Sequence, residues 1–345
     1  MNMAIGKDHR YALLLISLAG LIVYSNAFSS PFIFDDFYYI LDNPAVKSFS
    51  QMWPPMDARY VTLLSFAINY AIGGESPFGY HLVNVVIHIG NAMLLYTLVI
   101  TTFNAPGLST VSRQTPAHYI ALAAAMLFLV HPVQTQAVTY ISQRFASLAT
   151  LFYLSALVLY VRWRNSGNTR KTDYLLAVLL TIAAQKTKEI AFTLPVAIML
   201  YEFSFYDEGD SRRRIRWLAP FLFAMLIVPL GFLAPAFGFG GVDTDVGDAM
   251  RNLKMDEFQT LSSWTYLLTQ FRVIMTYLRL LILPIDQRLY YDYPVFDTIF
   301  NLEVVASLAV IILLLGAAIQ GVKREADSGA YYNRGARNNA RGRGL

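Results

Sequence analysis

Residues 11–39 read YALLLISLAGLIVYSNAFSSPFIFDDFYY, and this stretch decides what kind of protein the chain is. Tyr11 to Ala27 is an apolar run of helical length. Immediately after it, in Ser30 to Tyr39, two adjacent carboxylates, Asp35 and Asp36, stand among five aromatic residues. A carboxylate is costly to hold beside a membrane, so an acid pair emerging at the end of a first span points to chemistry. The competing reading is an aspartate that caps a loop helix.

Composition agrees with a membrane setting. Of 345 residues, 56% are hydrophobic and 14% charged, with a mean hydropathy of +0.43. Soluble domains carry roughly 25% charge. The apolar runs have helical length and lack the alternation of an outer-membrane barrel. The first run has no small-residue cleavage site behind it and reads as a retained span. There is no cysteine, which removes disulfide and thiolate chemistry but does not fix the compartment.

The expected architecture is an all-α polytopic bundle of about eight to nine spans, each apolar run counted as one crossing. Residues 1–27 form a basic start and the first span. Residues 28–79 form an outer loop with the acid pair. Within that loop, Tyr60 to Ile72 is apolar but too short to cross ~30 Å, and it reads as a helix lying along the membrane surface. Residues 80–320 complete the bundle. The Arg/Gly/Asn-rich segment 321–345 reads as disordered. Basic residues fall mostly in alternate loops (Arg113, Arg162, Arg170, Lys171, Arg212 to Arg216), while the opposite loops hold Asp35, Asp36, Asp42, Asp57, Asp243, Asp245 and Asp248. The positive-inside rule then places the acid pair away from the cytoplasm.

Four polar clusters share that outer face. In Asp35 and Asp36, neighbouring side chains diverge, so one suits a general base and the other an orienting group or a cation ligand. His81, Asn84 and His88 stack on one helix face; interhelical hydrogen bonding is the favoured reading, because their spacing is not that of zinc ligands. His131, Gln134, Tyr140 and Arg144 lie in a re-entrant or capped turn. Lys186, Lys188 and Glu189 form a charged hairpin between two short spans, and cations held there suit a phosphate. Arg272 and Arg279 sit seven apart on an otherwise apolar span; Arg272, nearer the outer side, is a further phosphate candidate. Together on one face, these groups are equipped to hold a lipid phosphate, bind a sugar on aromatic faces and activate a hydroxyl.

Several segments resemble a known family. Phe34-Asp35-Asp36 with Asp42-Asn43-Pro44, Arg59, Leu63 to Phe66, Asn69-Tyr70, Pro77 to Asn84, His88, His131-Pro132, Gln134, Tyr140, Arg144 and Lys188-Glu189 are similar to the membrane module of tetratricopeptide-repeat O-mannosyltransferases and their bacterial relatives. The resemblance runs from about Tyr24 to Glu202, with a looser echo at Tyr277-Leu278 and Asp292-Tyr293. It implies the C-type glycosyltransferase fold, a polyprenyl-phosphate sugar donor and a non-cytoplasmic active site. Asp35 would be the catalytic base with Asp36 beside it. Arg144, Lys186, Lys188 and Arg272 would bind the donor phosphate, and Arg59, His81, Asn84, His88, His131, Gln134, Tyr140, Glu189 and Tyr293 would shape the site.

The expected activity is therefore sugar transfer to a hydroxyl of a secreted or membrane protein, a pilin-like chain among them, at a bacterial inner membrane. No tetratricopeptide array follows the membrane part, so recognition of the acceptor by repeats is expected to be absent or supplied by another polypeptide, a separate acceptor-recognition subunit. No organic cofactor is implied; a divalent cation, if used, would sit at Asp36. Lipid contacts are expected and nucleic-acid binding is not. Two alternatives fit the same residues: a glycolipid or cell-envelope polymer as acceptor, and a non-catalytic transporter or assembly factor. The paired, interrupted half-repeats of many transporters are not seen in the sequence.

Overall fold

The structure is a computed structural model. It describes residues 7–53, 55, 57–108, 115–206, 210–233 and 262–341, with side chains to 321. Among these residues there is helix and no strand. Two compact units divide the chain, Met1–Asp248 and Ala249–Leu345.

In the first unit, α1 (Lys7–Val23) leads into the loop that carries the acid pair. The short apolar helix α2 (Tyr60–Gly73) follows, as its run of apolar residues predicts. It ends where Gly74 takes φ +57°, a left-handed conformation that favours glycine, and returns its N–H to the Tyr70 carbonyl. Next come α3 (Pro77–Phe103) and α4 (Ala117–Val130). Pro77 stands at the start of α3, where its missing N–H costs nothing. Then come α5 (Arg144–Asn165), α6 (Lys171–Gln185), α7 (Leu194–Phe205), α8 (Ser211–Ala224) and α9 (Ile227–Leu233). Pro220 lies inside α8.

Four helices are long and apolar enough to cross a membrane among the described residues: Pro77–Phe103, Ile141–Asn165, Ser211–Gly231 and Leu302–Gly321. A fifth crossing results if the bent pair Ala117–Val130 and Pro132–Thr139 counts as one span. The remaining apolar runs form shorter or less apolar helices. The 52° bend at His131 and Pro132 is the turn expected there; a proline cannot donate the hydrogen bond that would carry the helix through.

Packing is close where side chains are small. α3 is the centre of the unit, with α1, α4 and α5 against it, and α6 packs along α5. A methyl group on Gly20 of α1 would stand 2.5 Å from Ile89 of α3, so only glycine lets these backbones approach so near. One buried cluster gathers Ile16, Ile89, Tyr96 and Leu129. A second gathers Leu157, Val161, Leu194, Ile198 and Phe221. A third, Ile40, Phe66, Tyr80, Ile141 and Phe145, pins the acid-pair loop and α2 onto α3 and the start of α5.

The second unit holds α10 (Ser263–Ile282) and α11 (Leu302–Arg341), packed on each other around Leu268, Phe296 and Val304. The backbone is helical over Leu302–Arg341. The segment Lys323-Arg324-Glu325-Ala326 is made of good helix formers, and extending an existing helix needs no new nucleus. Asp243, Asp245 and Asp248, expected in an outer loop, lie outside the described residues.

Candidate active site

The two aspartates have different surroundings. Asp36 is fully buried. One carboxylate oxygen accepts hydrogens from the Ser142 backbone N–H at 2.7 Å and the Ser142 hydroxyl at 2.6 Å; the other accepts from Ile33 N–H at 3.1 Å. Burial pushes the Asp36 carboxyl above its ordinary value, although these hydrogen bonds and the nearby His81 pull it back. Asp35 is exposed, and its backbone N–H donates to the Tyr140 hydroxyl at 3.1 Å. The residue before it, Phe34, has φ +47°, which is costly for an aromatic residue and tends to be kept at functional sites. The buried acid thus fastens the loop, and its neighbour faces outward.

The pair connects to the charged hairpin through Tyr39 and Arg59. Tyr39 is pushed up in pKa by burial, pulled down by the Arg59 guanidinium and pushed up again by the Asp35 and Glu189 carboxylates. Its hydroxyl accepts a hydrogen bond from Arg59 Nη1 at 3.1 Å. Arg59 also grips Glu189 with two prongs, 2.9 and 3.2 Å long, and its guanidinium lies 5.4 Å from the centre of the Phe145 ring. Burial alone would raise the Glu189 pKa, but the Arg59 bond and nearby positive charges outweigh it and hold the carboxyl below its ordinary value.

Two lysines flank this pair. Lys186 donates to the Asp57 carbonyl at 2.9 Å, while Val61 N–H and the Thr62 hydroxyl bond the hairpin backbone at Lys186 and Thr187. These bonds lock α2 against the hairpin. Lys188 is half-buried, and its ammonium makes no hydrogen bond or ion pair among the described residues. Burial, and then the repulsion of Arg59, hold its pKa below the ordinary lysine value against the pull of Glu189. An underused cation in a desolvated position is suited to receive an anion.

Arg144 differs from its expected role as a phosphate ligand. It is fully buried. Its Nε donates to Asn84 at 2.7 Å, Nη1 to Asn69 at 2.6 Å and Nη2 to the Tyr80 carbonyl at 2.8 Å. The Phe66 ring covers it at 4.6 Å. A guanidinium so enclosed ties α2, α3 and α5 together and leaves no face for a phosphate. The polar stripe of α3 bonds backbone carbonyls: His81 Nε2 lies 2.9 Å from the Ser30 carbonyl, Asn84 donates to the Ile141 carbonyl at 3.2 Å, and His88 Nε2 lies 3.1 Å from the Leu129 carbonyl. His131 uses Nδ1 to accept from Val133 N–H, capping the turn; Gln134 lies half-exposed one turn on.

Asp36, the residue named for a cation, has both oxygens committed to protein hydrogens. Among the described residues no three His, Asp or Glu side chains group at metal-ligand spacing. In the second unit Arg272 pairs with Glu303 at 2.9 Å and donates to the Thr276 hydroxyl, and Tyr293 stacks on Tyr291 at 5.8 Å.

Sequence reasoning misses Tyr39, Asn69 and Ser142 as working parts. Tyr39 lies in the aromatic run after the first span, and its hydroxyl is the signal. Ser142 lies between two candidate residues, Tyr140 and Arg144, but a lone serine carries no pattern.

A protein O-mannosyl-transferase of Caenorhabditis elegans is 27% identical over 308 residues, covering 82% of this chain and 39% of the relative. Drosophila melanogaster Tmtc2 is 31% identical over 293 residues, covering 76% of this chain and 28% of its own length. Human TMTC4 is 27% identical over 209 residues, or 53% and 28%. The chain's homologues are protein O-mannosyl-transferases. The chain spans well under half the length of these O-mannosyl-transferases. No family model matches it. No solved structure matches it either.

Proposed function

We propose that the chain is an integral membrane glycosyltransferase that moves a sugar, mannose by analogy with its relatives' names, from a polyprenyl-phosphate carrier to a protein hydroxyl. Asp35 takes the hydroxyl proton as the hydroxyl oxygen bonds to the anomeric carbon. The bond from that carbon to the phosphate oxygen breaks, and the polyprenyl phosphate leaves with the electron pair. Lys188 stabilises the departing phosphate, with Arg59 and Glu189 holding the hairpin in place. Lys186 locks α2 to that hairpin. The exposed rings of Phe34, Phe37 and Trp53 offer faces for a sugar or an isoprenoid chain. The site opens on the non-cytoplasmic side, the side to which the basic-residue bias assigns the acid pair.

The observation that carries this reading is the chain of contacts from the loop to the hairpin. Asp35 lies in the same loop as Tyr39, Tyr39 accepts from Arg59, Arg59 holds Glu189, and Lys188 stands next to Glu189 with no hydrogen-bonding partner for its ammonium among the described residues. The test is incubation of purified protein with polyprenyl-phosphate mannose and an acceptor polypeptide. Sugar on serine or threonine supports the proposal. Sugar delivered to a glycolipid instead would reassign the acceptor. Intact donor moved across a vesicle membrane without cleavage would favour a transporter.

A further inference from the structure

The end of the bundle opposite the acid pair carries a second concentration of charge. From Arg144 to Arg164 helix α5 rises about 30 Å, the thickness of a bilayer's hydrocarbon core. There the helix ends meet around a buried carboxylate. Glu202 of α7 is fully buried and pairs with Arg164 at 2.7 Å and Arg214 at 3.2 Å, while the Tyr160 hydroxyl donates to it at 2.9 Å. Asp173 is taken by Arg162 at 3.4 Å and lies 3.9 Å from Arg170. Asp210 caps α8 by accepting from the backbone N–H groups of Arg212 and Arg213. Glu202 and Asp173 are therefore paired with arginines, and Asp210 is engaged in capping.

On α6 and α8 three cations remain. Lys171, Arg212 and Arg216 are exposed and have no acidic partner among the described residues. Their helices are held side by side, because the Tyr174 hydroxyl of α6 donates to the Trp217 carbonyl of α8 at 3.0 Å. Beneath them lies an aromatic layer: Trp163 is 4.6 Å from Tyr174 and 5.1 Å from Trp217, and Arg213 sits 4.8 Å over Trp217. Exposed Ile215 and Phe223 of α8 continue the surface into hydrocarbon. Aromatics at a membrane interface, apolar residues on one side and unpaired cations on the other match the cross-section of an anionic lipid.

We propose that Lys171, Arg212 and Arg216 form a docking surface for the headgroup of an anionic glycerophospholipid, in the leaflet opposite the acid pair. The Glu202 cluster fixes the helix ends, so the backbone that carries the cations is already in place. This proposal does not depend on the sugar-transfer reading.

The test is native mass spectrometry of the full chain released from nanodiscs of phosphatidylcholine and phosphatidylglycerol in equal parts. The wild type should retain phosphatidylglycerol preferentially. The triple variant Lys171→Gln, Arg212→Gln, Arg216→Gln should lose that preference, by about fivefold per cation removed, with an unchanged melting temperature. Equal retention of the two lipids by the wild type would overturn the proposal, as would full preference in the triple variant. Displacement of the lipid by soluble glycerol phosphate would also overturn it, since the site would then read a free phosphate. If the triple variant does not fold, Arg216→Gln alone and the salt dependence of the wild type decide: a preference that survives both high ionic strength and that single change contradicts the assignment.

Discussion

Arg59 and Glu189, 130 positions apart in sequence, are joined by two parallel hydrogen bonds of 2.9 and 3.2 Å. This pair sets where the acid-pair loop meets the lysine hairpin. Both side chains are about one-third exposed, so the pair contributes modestly to stability and mainly to position. Arg59→Lys cannot reproduce the fork. It should leave the melting temperature nearly unchanged and lower sugar transfer by up to about 10²-fold, the cost of a small misplacement at a reacting centre. Transfer at the wild-type rate would show that the pair does not position the site.

Asp36 and Ser142 make the opposite kind of contact, buried and structural. Ser142→Ala removes a hydrogen bond of 2.6 Å to a fully buried carboxylate and should cost about 1.5–3 kcal/mol of stability. The pH dependence has a definite sign. An acid whose folded-state pKa is raised by burial costs stability as it ionises: nothing below its unfolded value, 3.8, and the full amount above the folded value. The wild type should therefore lose more stability than Asp36→Asn as pH rises from about 4. Equal slopes in thermal melts of the two proteins would contradict this.

Glu189 runs the other way. Its pKa is held below the ordinary value of 4.5, so its contribution is present above that value and is lost as pH falls through the folded value. Glu189→Gln should flatten the acid limb of the stability curve, and unchanged acid sensitivity would argue against the pair.

Lys188 is desolvated, and its ammonium has no hydrogen-bonding partner among the described residues. Lys188→Met should keep or raise the melting temperature while lowering sugar transfer, because it removes a desolvation cost together with the proposed phosphate ligand. A large fall in melting temperature would show that the ammonium is structural.

Arg144→Lys should do the reverse. The guanidinium satisfies Asn84, Asn69 and the Tyr80 carbonyl inside the protein. A shorter side chain without the fork leaves buried acceptors unpaired, at a cost of about 3–5 kcal/mol when a buried charge network is broken. A variant with a normal melting temperature and a selective loss of donor binding would restore Arg144 to the phosphate role.

Much of this is legible in the sequence for a physical reason. Apolar runs report helices directly, so α2, α3 and α10 lie where hydropathy places them, within a few residues. The acid pair is visible because charge beside a membrane is costly. What cannot be read is which polar group faces inward. Asp35 and Asp36 are neighbours with the same side chain, and only the folded position of Ser142 separates a buried fastener from an exposed carboxylate. Arg144 and Lys188 likewise look like equal candidates until burial is known: one has its nitrogens matched by protein acceptors, the other none among the described residues. Hydrogen-bond satisfaction depends on partners 60 to 79 positions away for Arg144, which no local pattern carries.

The most direct measurement compares sugar transfer by purified wild type and Asp35→Asn, using polyprenyl-phosphate mannose and a protein acceptor, with a thermal melt of each. The Asp35 carboxylate is exposed beside the Tyr140 hydroxyl and lacks the buried hydrogen bonds of Asp36, so the variant should melt near the wild type and transfer about 10²–10⁴-fold more slowly. Transfer by Asp35→Asn at the wild-type rate would contradict the account.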